Sequence, residues 1–195
     1  MLKLDRQSGL IEGARYQPSP NYDERPESAD IDLLVVHGIS LPPGQFGGGW
    51  IDDLFSNQLD PNADPYFPGI HQLRVSSHLL IRRDGELVQY VPLDKRAWHA
   101  GVSSFCGRER CNDYSIGIEL EGTDELPYEE VQYRRLAEVV ELLMNNYPEI
   151  TRERIVGHCD IAPGRKTDPG PGFSWEHLAE LLDQQTRASD RTHST

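Results

Sequence analysis

The sequence predicts a single α/β domain with a mixed central β-sheet flanked by helices, and three observations carry that expectation. Ile31-Asp32-Leu33-Leu34-Val35-Val36-His37 is a short, apolar, β-branched run followed by glycine, the pattern of a buried strand. Ser115 to Glu121 alternates, with Ile116, Ile118 and Leu120 on one face and Glu119 and Glu121 on the other. From Pro127 to about Asn146, Val131, Leu136, Val139, Val140, Leu142 and Leu143 form the apolar stripe of a helix that Pro148 closes. Strands interleaved with helices over short connections call for a sheet covered by helices. A chain of 195 residues can bury a real core as one domain.

Taken in order, residues 1–30 are polar and turn-rich, and Gln17-Pro18-Ser19-Pro20 and Arg25-Pro26-Glu27 mark them as an arm packed on the domain. The domain proper is expected over 31–185. After the first strand, 40–49 is a long loop rich in Gly and Pro, of the kind that usually carries function. Trp50 to Leu59 predicts a short helix ended by Asp60-Pro61, and 61–72 another loop. Val75 to Arg82 and Leu87 to Val91 are paired strands around the turn Arg83-Asp84-Gly85-Glu86. A loop through Ala97-Trp98-His99-Ala100-Gly101 and the polar segment 103–113 leads into the strand at Ser115. Arg154 to Gly157 is a last short strand. Trp175 to about Gln185 is a final helix capped by Ser174, and 186–195 is a polar tail.

Lys and Arg number 19 against 32 Asp and Glu, a net charge of -13 that would repel phosphate backbones, so nucleic acid is excluded as a partner. No apolar run is long enough to span a bilayer, and the N-terminus lacks the apolar core of a secretory signal. A cytoplasmic location without membrane contact is the expectation. The 3 cysteines, Cys106, Cys111 and Cys159, form no regular framework and are expected as reduced thiols.

The chemistry concentrates in Gly157-His158-Cys159-Asp160-Ile161-Ala162-Pro163-Gly164-Arg165-Lys166-Thr167-Asp168-Pro169-Gly170. Its glycines and prolines impose turns and argue against a continuous helix, so His158 and Asp168 sit on a shaped loop. His37, at another strand end, supplies a third ligand, and His, His and Asp with one open position is the pattern of a catalytic zinc. Such chemistry also needs a proton acceptor and a group to hold an oxyanion. Glu119 is the candidate base, with Glu121 on the same strand face as a second, and Lys166 is the candidate cation. Cys159 ranks below Asp168 as a ligand, and Asp160 reads as a turn residue. Of the remaining histidines, His71, His177 and His193 are expected at the surface and His78 in the core. His99 is open between a core and a pocket position.

Val36-His37-Gly38, Ala97-Trp98-His99-Ala100-Gly101, the strand around Glu119 and the segment from Gly157 to Gly170 together resemble the AmpD amidases. These are 1,6-anhydro-N-acetylmuramyl-L-alanine amidases of the N-acetylmuramoyl-L-alanine amidase type 2 family. The resemblance runs from about residue 9 to residue 175. It implies a fold related to peptidoglycan recognition proteins, and Zn²⁺ held by His37, His158 and Asp168. It further implies Glu119 as general base, Lys166 as oxyanion stabiliser, and substrate contacts at Tyr66, Arg74, Trp98, Arg110 and Ala162. The implied reaction is hydrolysis of the amide between anhydro-N-acetylmuramic acid and L-alanine in cytoplasmic peptidoglycan recycling. The implied partner is a small anhydro-muropeptide, and a monomer is the expectation. The alternatives are a phage-type lysin acting on polymeric wall and a non-catalytic peptidoglycan-binding module. One departure stands out: the family usually has Asn after the first zinc histidine, where this chain has Gly38. Related recognition proteins use Cys as third ligand, where this chain has Asp168, which favours the AmpD-like branch.

Overall fold

The computed structural model describes residues 2–27 and 29–192. Its centre is a six-stranded sheet. We label the strands β1 (Arg15–Tyr16), β2 (Leu33–Ile39), β3 (Leu79–Ile81), β4 (Leu87–Gln89), β5 (Ser115–Glu121) and β6 (Ile155–Gly157). Their order across the sheet is β6-β2-β5-β3-β4-β1. The pairs β6–β2, β2–β5, β5–β3 and β4–β1 are parallel, and β3–β4 is the antiparallel hairpin. The helices are α1 (Trp50–Phe55), α2 (Glu130–Asn146), a single turn α3 (His158–Ile161) and α4 (Trp175–Thr192).

The side-chain alternation of the two central strands divides the molecule. Leu34 and Val36 of β2, with Ile116, Ile118 and Leu120 of β5, pack into one core with the apolar stripe of α2 and with Leu178 and Leu182 of α4. Leu33 and Val35 point the other way, toward Ala100, Cys111, Tyr114 and Ile161. Because Glu119 is the register partner of His37 and neighbouring strands share faces, the same alternation places both candidate side chains on that second face. All seven residues of β5 are buried, so the solvated strand face that would have made Glu119 an ordinary surface carboxylate does not exist.

Several boundaries differ from expectation. β2 continues past His37 to Ile39, because it pairs with β5 along its whole length. Only three residues of each hairpin strand are paired, and α1 stops at Phe55. α2 begins at Glu130, where the Gln132 side chain accepts a hydrogen bond from the Glu129 amide at 3.0 Å. Val131, counted in the apolar stripe, is 42% exposed in that first turn. The segment after Gly157 does contain a helical turn, α3, with His158 as its first residue. Ser174 caps α4 by accepting from the His177 amide at 3.1 Å, and α4 runs on to Thr192 through much of the expected tail. The N-terminal arm forms a ribbon, Lys3–Asp5 against Leu10–Glu12, and then supplies β1 at the sheet edge. His193 lies outside the described residues. Among the described residues no helix is long and apolar enough to cross a membrane, and the three cysteines are free.

His78 is fully buried, as expected of a core histidine. Its Nδ1 accepts from the Gly117 amide at 3.0 Å, and Nε2 lies 3.0 Å from the Lys95 carbonyl. Burial, reinforced by the Arg25 guanidinium, lowers its pKa from 6.5 to about 3. The unfolded chain therefore binds a proton that the folded chain refuses. The stabilising contribution is complete above about pH 6.5 and is lost progressively as pH falls toward about 3. It amounts to a few kcal/mol, order of magnitude. In urea titrations between pH 7 and 4, His78→Gln is expected to be less stable at pH 7 and to show a pH slope shallower by about one proton. An unchanged slope would contradict this account.

Candidate active site

The candidate ligand set is brought together by three separate local structures. β2 presents His37, 2% exposed, and α3 presents His158, 3% exposed. The loop leaving α3 returns Asp168 to the same point because the Cys159 amide donates to the Asp168 carbonyl at 3.0 Å. Asp160 fixes the start of α3 by accepting from the Gly157 amide at 2.7 Å, which is the turn role expected of it. His37 Nδ1 is 2.9 Å from His158 Nδ1, Asp168 Oδ2 is 3.1 Å from His158 Nδ1, and it is 3.3 Å from His37 Nδ1. Among the described residues this is the group of His, Cys, Asp and Glu whose ligand atoms converge.

The donor set fits zinc. Four-coordinate zinc with bonds of about 2.0–2.1 Å has ligand atoms roughly 3.3 Å apart, close to the three separations here. His158 Nε2 lies 3.2 Å from the Ala100 carbonyl, which only accepts, so Nε2 carries a proton and Nδ1 is the ring atom that faces the centre. Burial, only partly offset by Asp168, lowers His37 to about 4 and keeps it neutral. A neutral imidazole at His37 is the protonation state that a divalent cation requires of that ligand.

A cavity of about 510 Å³ opens over this centre, lined among others by His37, Glu119, His158, Lys166 and Asp168. Glu119 is 9% exposed. Burial, then the Asp168 charge, pushes its pKa up to about 8, with Lys166 pulling the other way. Of the expected substrate contacts, Tyr66 and Trp98 line this cavity. Arg110 and Ala162 line a second one beside Arg165. Arg74 is placed with neither: its guanidinium donates to Asn57 Oδ1 at 3.4 Å, although its neighbours Leu73 and Val75 line the first cavity.

Glu121, the second candidate base, has a different task. Its oxygens accept from the Gly47 amide at 2.6 Å and the Arg83 amide at 3.1 Å, pinning the Gly-rich loop to the sheet. His99 resolves to a pocket-lining residue, hydrogen-bonded to His37. His71 and His177 are partly exposed and bonded locally.

Sequence reasoning missed Tyr128, whose hydroxyl donates to the Pro169 carbonyl at 3.1 Å, one residue after Asp168. No periodicity in the sequence signals such a contact. It also accounts for Gly38: a Cβ there would lie 2.4 Å from the Tyr128 hydroxyl. Gly38→Asn is therefore expected to destabilise the fold by about 1–3 kcal/mol through overpacking. The double variant with Tyr128→Phe should recover part of that loss in thermal unfolding. Equal stability of wild type and Gly38→Asn would remove the packing explanation.

Comparison with known proteins identifies the family and the fold. The family model described as N-acetylmuramoyl-L-alanine amidase matches residues 27–171. The chain is 63% identical to the 1,6-anhydro-N-acetylmuramyl-L-alanine amidase AmpD of Citrobacter freundii, over 89% of this chain and 92% of that protein. A crystal structure of a selenomethionine AmpD derivative superposes with a TM-score of 0.88 at 62% identity, covering 92% of this chain and 98% of the other. AmiD from Escherichia coli was solved with the substrate anhydro-N-acetylmuramic acid-L-Ala-D-γ-Glu-L-Lys. It aligns with a TM-score of 0.57 at 32% identity, over 81% of this chain and 60% of the other.

Proposed function

The chain belongs to the N-acetylmuramoyl-L-alanine amidase family, and from that membership we propose that it is a zinc-dependent amidase of cytoplasmic peptidoglycan recycling. Its reaction is hydrolysis of the amide between anhydro-N-acetylmuramic acid and the L-alanine of the stem peptide. The observation that carries this reading is the convergence of His37, His158 and Asp168 at the floor of a cavity that also holds Glu119 and Lys166. The anhydro sugar in the names of the relatives supports the recycling role.

Zinc held by His37, His158 and Asp168 would acidify water and polarise the scissile carbonyl. The residues of the chain do the rest. Glu119, buried on the strand face beside His37, takes the proton of the attacking water and returns it to the departing amine of L-alanine. The Lys166 ammonium stabilises the negative charge that grows on the carbonyl oxygen. Tyr66 and Trp98 present aromatic surface to the sugar, while Arg110 and the main chain at Ala162 receive the peptide, where a guanidinium suits its carboxylates. Local cations of this kind are needed, because a protein of net charge -13 repels an anionic ligand at long range.

Mass spectrometry of products tests the reading. Incubation with an anhydro-muropeptide should yield anhydro-N-acetylmuramic acid and a stem peptide with a free L-alanine amine. Intact sacculi, treated in parallel, should release little. Rapid release from sacculi with the small fragment untouched would point instead to a lysin, and no cleavage of either would sink the enzymatic proposal.

A further inference from the structure

We propose that His99 and Ser115 are positioning residues that fix the tautomer of His37, so that Nδ1 is the ring atom presented to the metal. This rests on the zinc reading above and adds a route by which the protein's interior sets the ligand's protonation. The route starts at a main-chain oxygen. The Ser115 hydroxyl donates its single proton to the Cys111 carbonyl at 2.6 Å. Toward His99 Nε2, 3.2 Å away, the same oxygen can therefore only accept. His99 Nε2 must carry a proton. Ser115 and His37 are the hydrogen-bond partners of the His99 ring, and neither is a carboxylate that would compensate a buried imidazolium. The ring is thus singly protonated, and its Nδ1 offers a lone pair. His37 Nε2, 2.9 Å from that Nδ1, donates to it. His37 Nδ1 is left bare and faces His158 Nδ1 and Asp168 Oδ2.

The surroundings hold this chain of contacts in place. Gly117, the register neighbour of Val35 on β5 and β2, leaves room for the His99 ring: a Cβ there would sit 2.5 Å from His99 Cγ. The Asn112 side chain accepts from the amides of His99 and Ala100 at 3.1 Å and 2.8 Å. It thereby steadies both the ring behind His37 and the carbonyl behind His158. Orienting contacts of this sort typically change metal affinity by about 10–100-fold when removed.

Long-range ¹H–¹⁵N NMR of the histidine rings tests the assignment without reference to turnover. In metal-free and zinc-loaded protein alike, His99 is expected to be protonated on Nε2 and unprotonated on Nδ1. In the zinc-loaded protein His37 should be protonated on Nε2. Zinc affinity, measured by competition with a chelator, should fall about 10–100-fold in His99→Leu. It should fall less in His99→Gln, whose carbonyl can still accept from His37. Ser115→Ala, which removes one oxygen and strains nothing, should lower affinity by a smaller factor and mix the His99 tautomers. A proton on His99 Nδ1 would overturn the proposal, as would zinc affinity in His99→Leu and Ser115→Ala within about twofold of wild type. Wild-type protein that takes up no zinc would instead refute the zinc reading, and the tautomers would still be legible in the metal-free spectrum.

Discussion

Glu119→Gln is expected to keep its zinc and to lose roughly 10²–10⁴-fold in turnover, the range for removal of a positioned general base. The amide matches the carboxylate in shape, so packing on the buried face beside His37 is preserved, while the site loses its proton acceptor. The pH profile should report the same group. Burial and the Asp168 charge favour the neutral acid and raise Glu119 to about 8, whereas a divalent cation at the neighbouring ligands pulls the value down. Only the ionised form accepts a proton, so activity should fall as pH falls through the value that these effects set, with the slope of one proton. In Glu119→Gln that acid limb should vanish along with most of the activity. Near wild-type turnover, or an unchanged acid limb on the residual rate, would remove Glu119 from the mechanism.

The placement of the candidate site is legible in the sequence where short-range periodicity carries it. A period of two fixes which residues of a strand share a face, so the alternation in Ser115–Glu121 already separated Glu119 from the isoleucines. It could not say what each carboxylate meets. Glu119 and Glu121 are equivalent by alternation, yet one lines the cavity and the other is consumed by the Gly47 and Arg83 amides. The ligand loop was readable as turns, but not the α3 turn that aims His158 or the Cys159–Asp168 main-chain bond that closes it. Contacts between residues remote in the chain left no trace: His37 with His99, Tyr128 with Pro169, and the fit of Tyr128 against Gly38. The same limit applies to Arg74, whose guanidinium donates to Asn57 in a different loop.

His158→Ala is expected to abolish stable zinc binding, because two remaining ligands cannot close a four-coordinate site. The readout need not be catalytic. A ligand that binds only the folded state stabilises by about 4 kcal/mol at a thousandfold excess over its dissociation constant. For a chain of this size each kcal/mol moves the melting temperature by roughly 2–4 °C. Stripping zinc from wild type with a chelator should therefore lower its melting temperature by roughly 8–16 °C. In His158→Ala the chelator should have almost no effect, metal analysis should find far less than one zinc per chain, and hydrolysis should drop to background. His158 also donates to the Ala100 carbonyl, so the variant should be somewhat less stable than stripped wild type, by about the 1 kcal/mol of a lost hydrogen bond. The two effects separate cleanly, since only the first responds to added zinc. A variant that retained a full equivalent of zinc, with an undiminished response to the chelator, would show that the ion sits elsewhere and would undo the assignment of His37, His158 and Asp168 together.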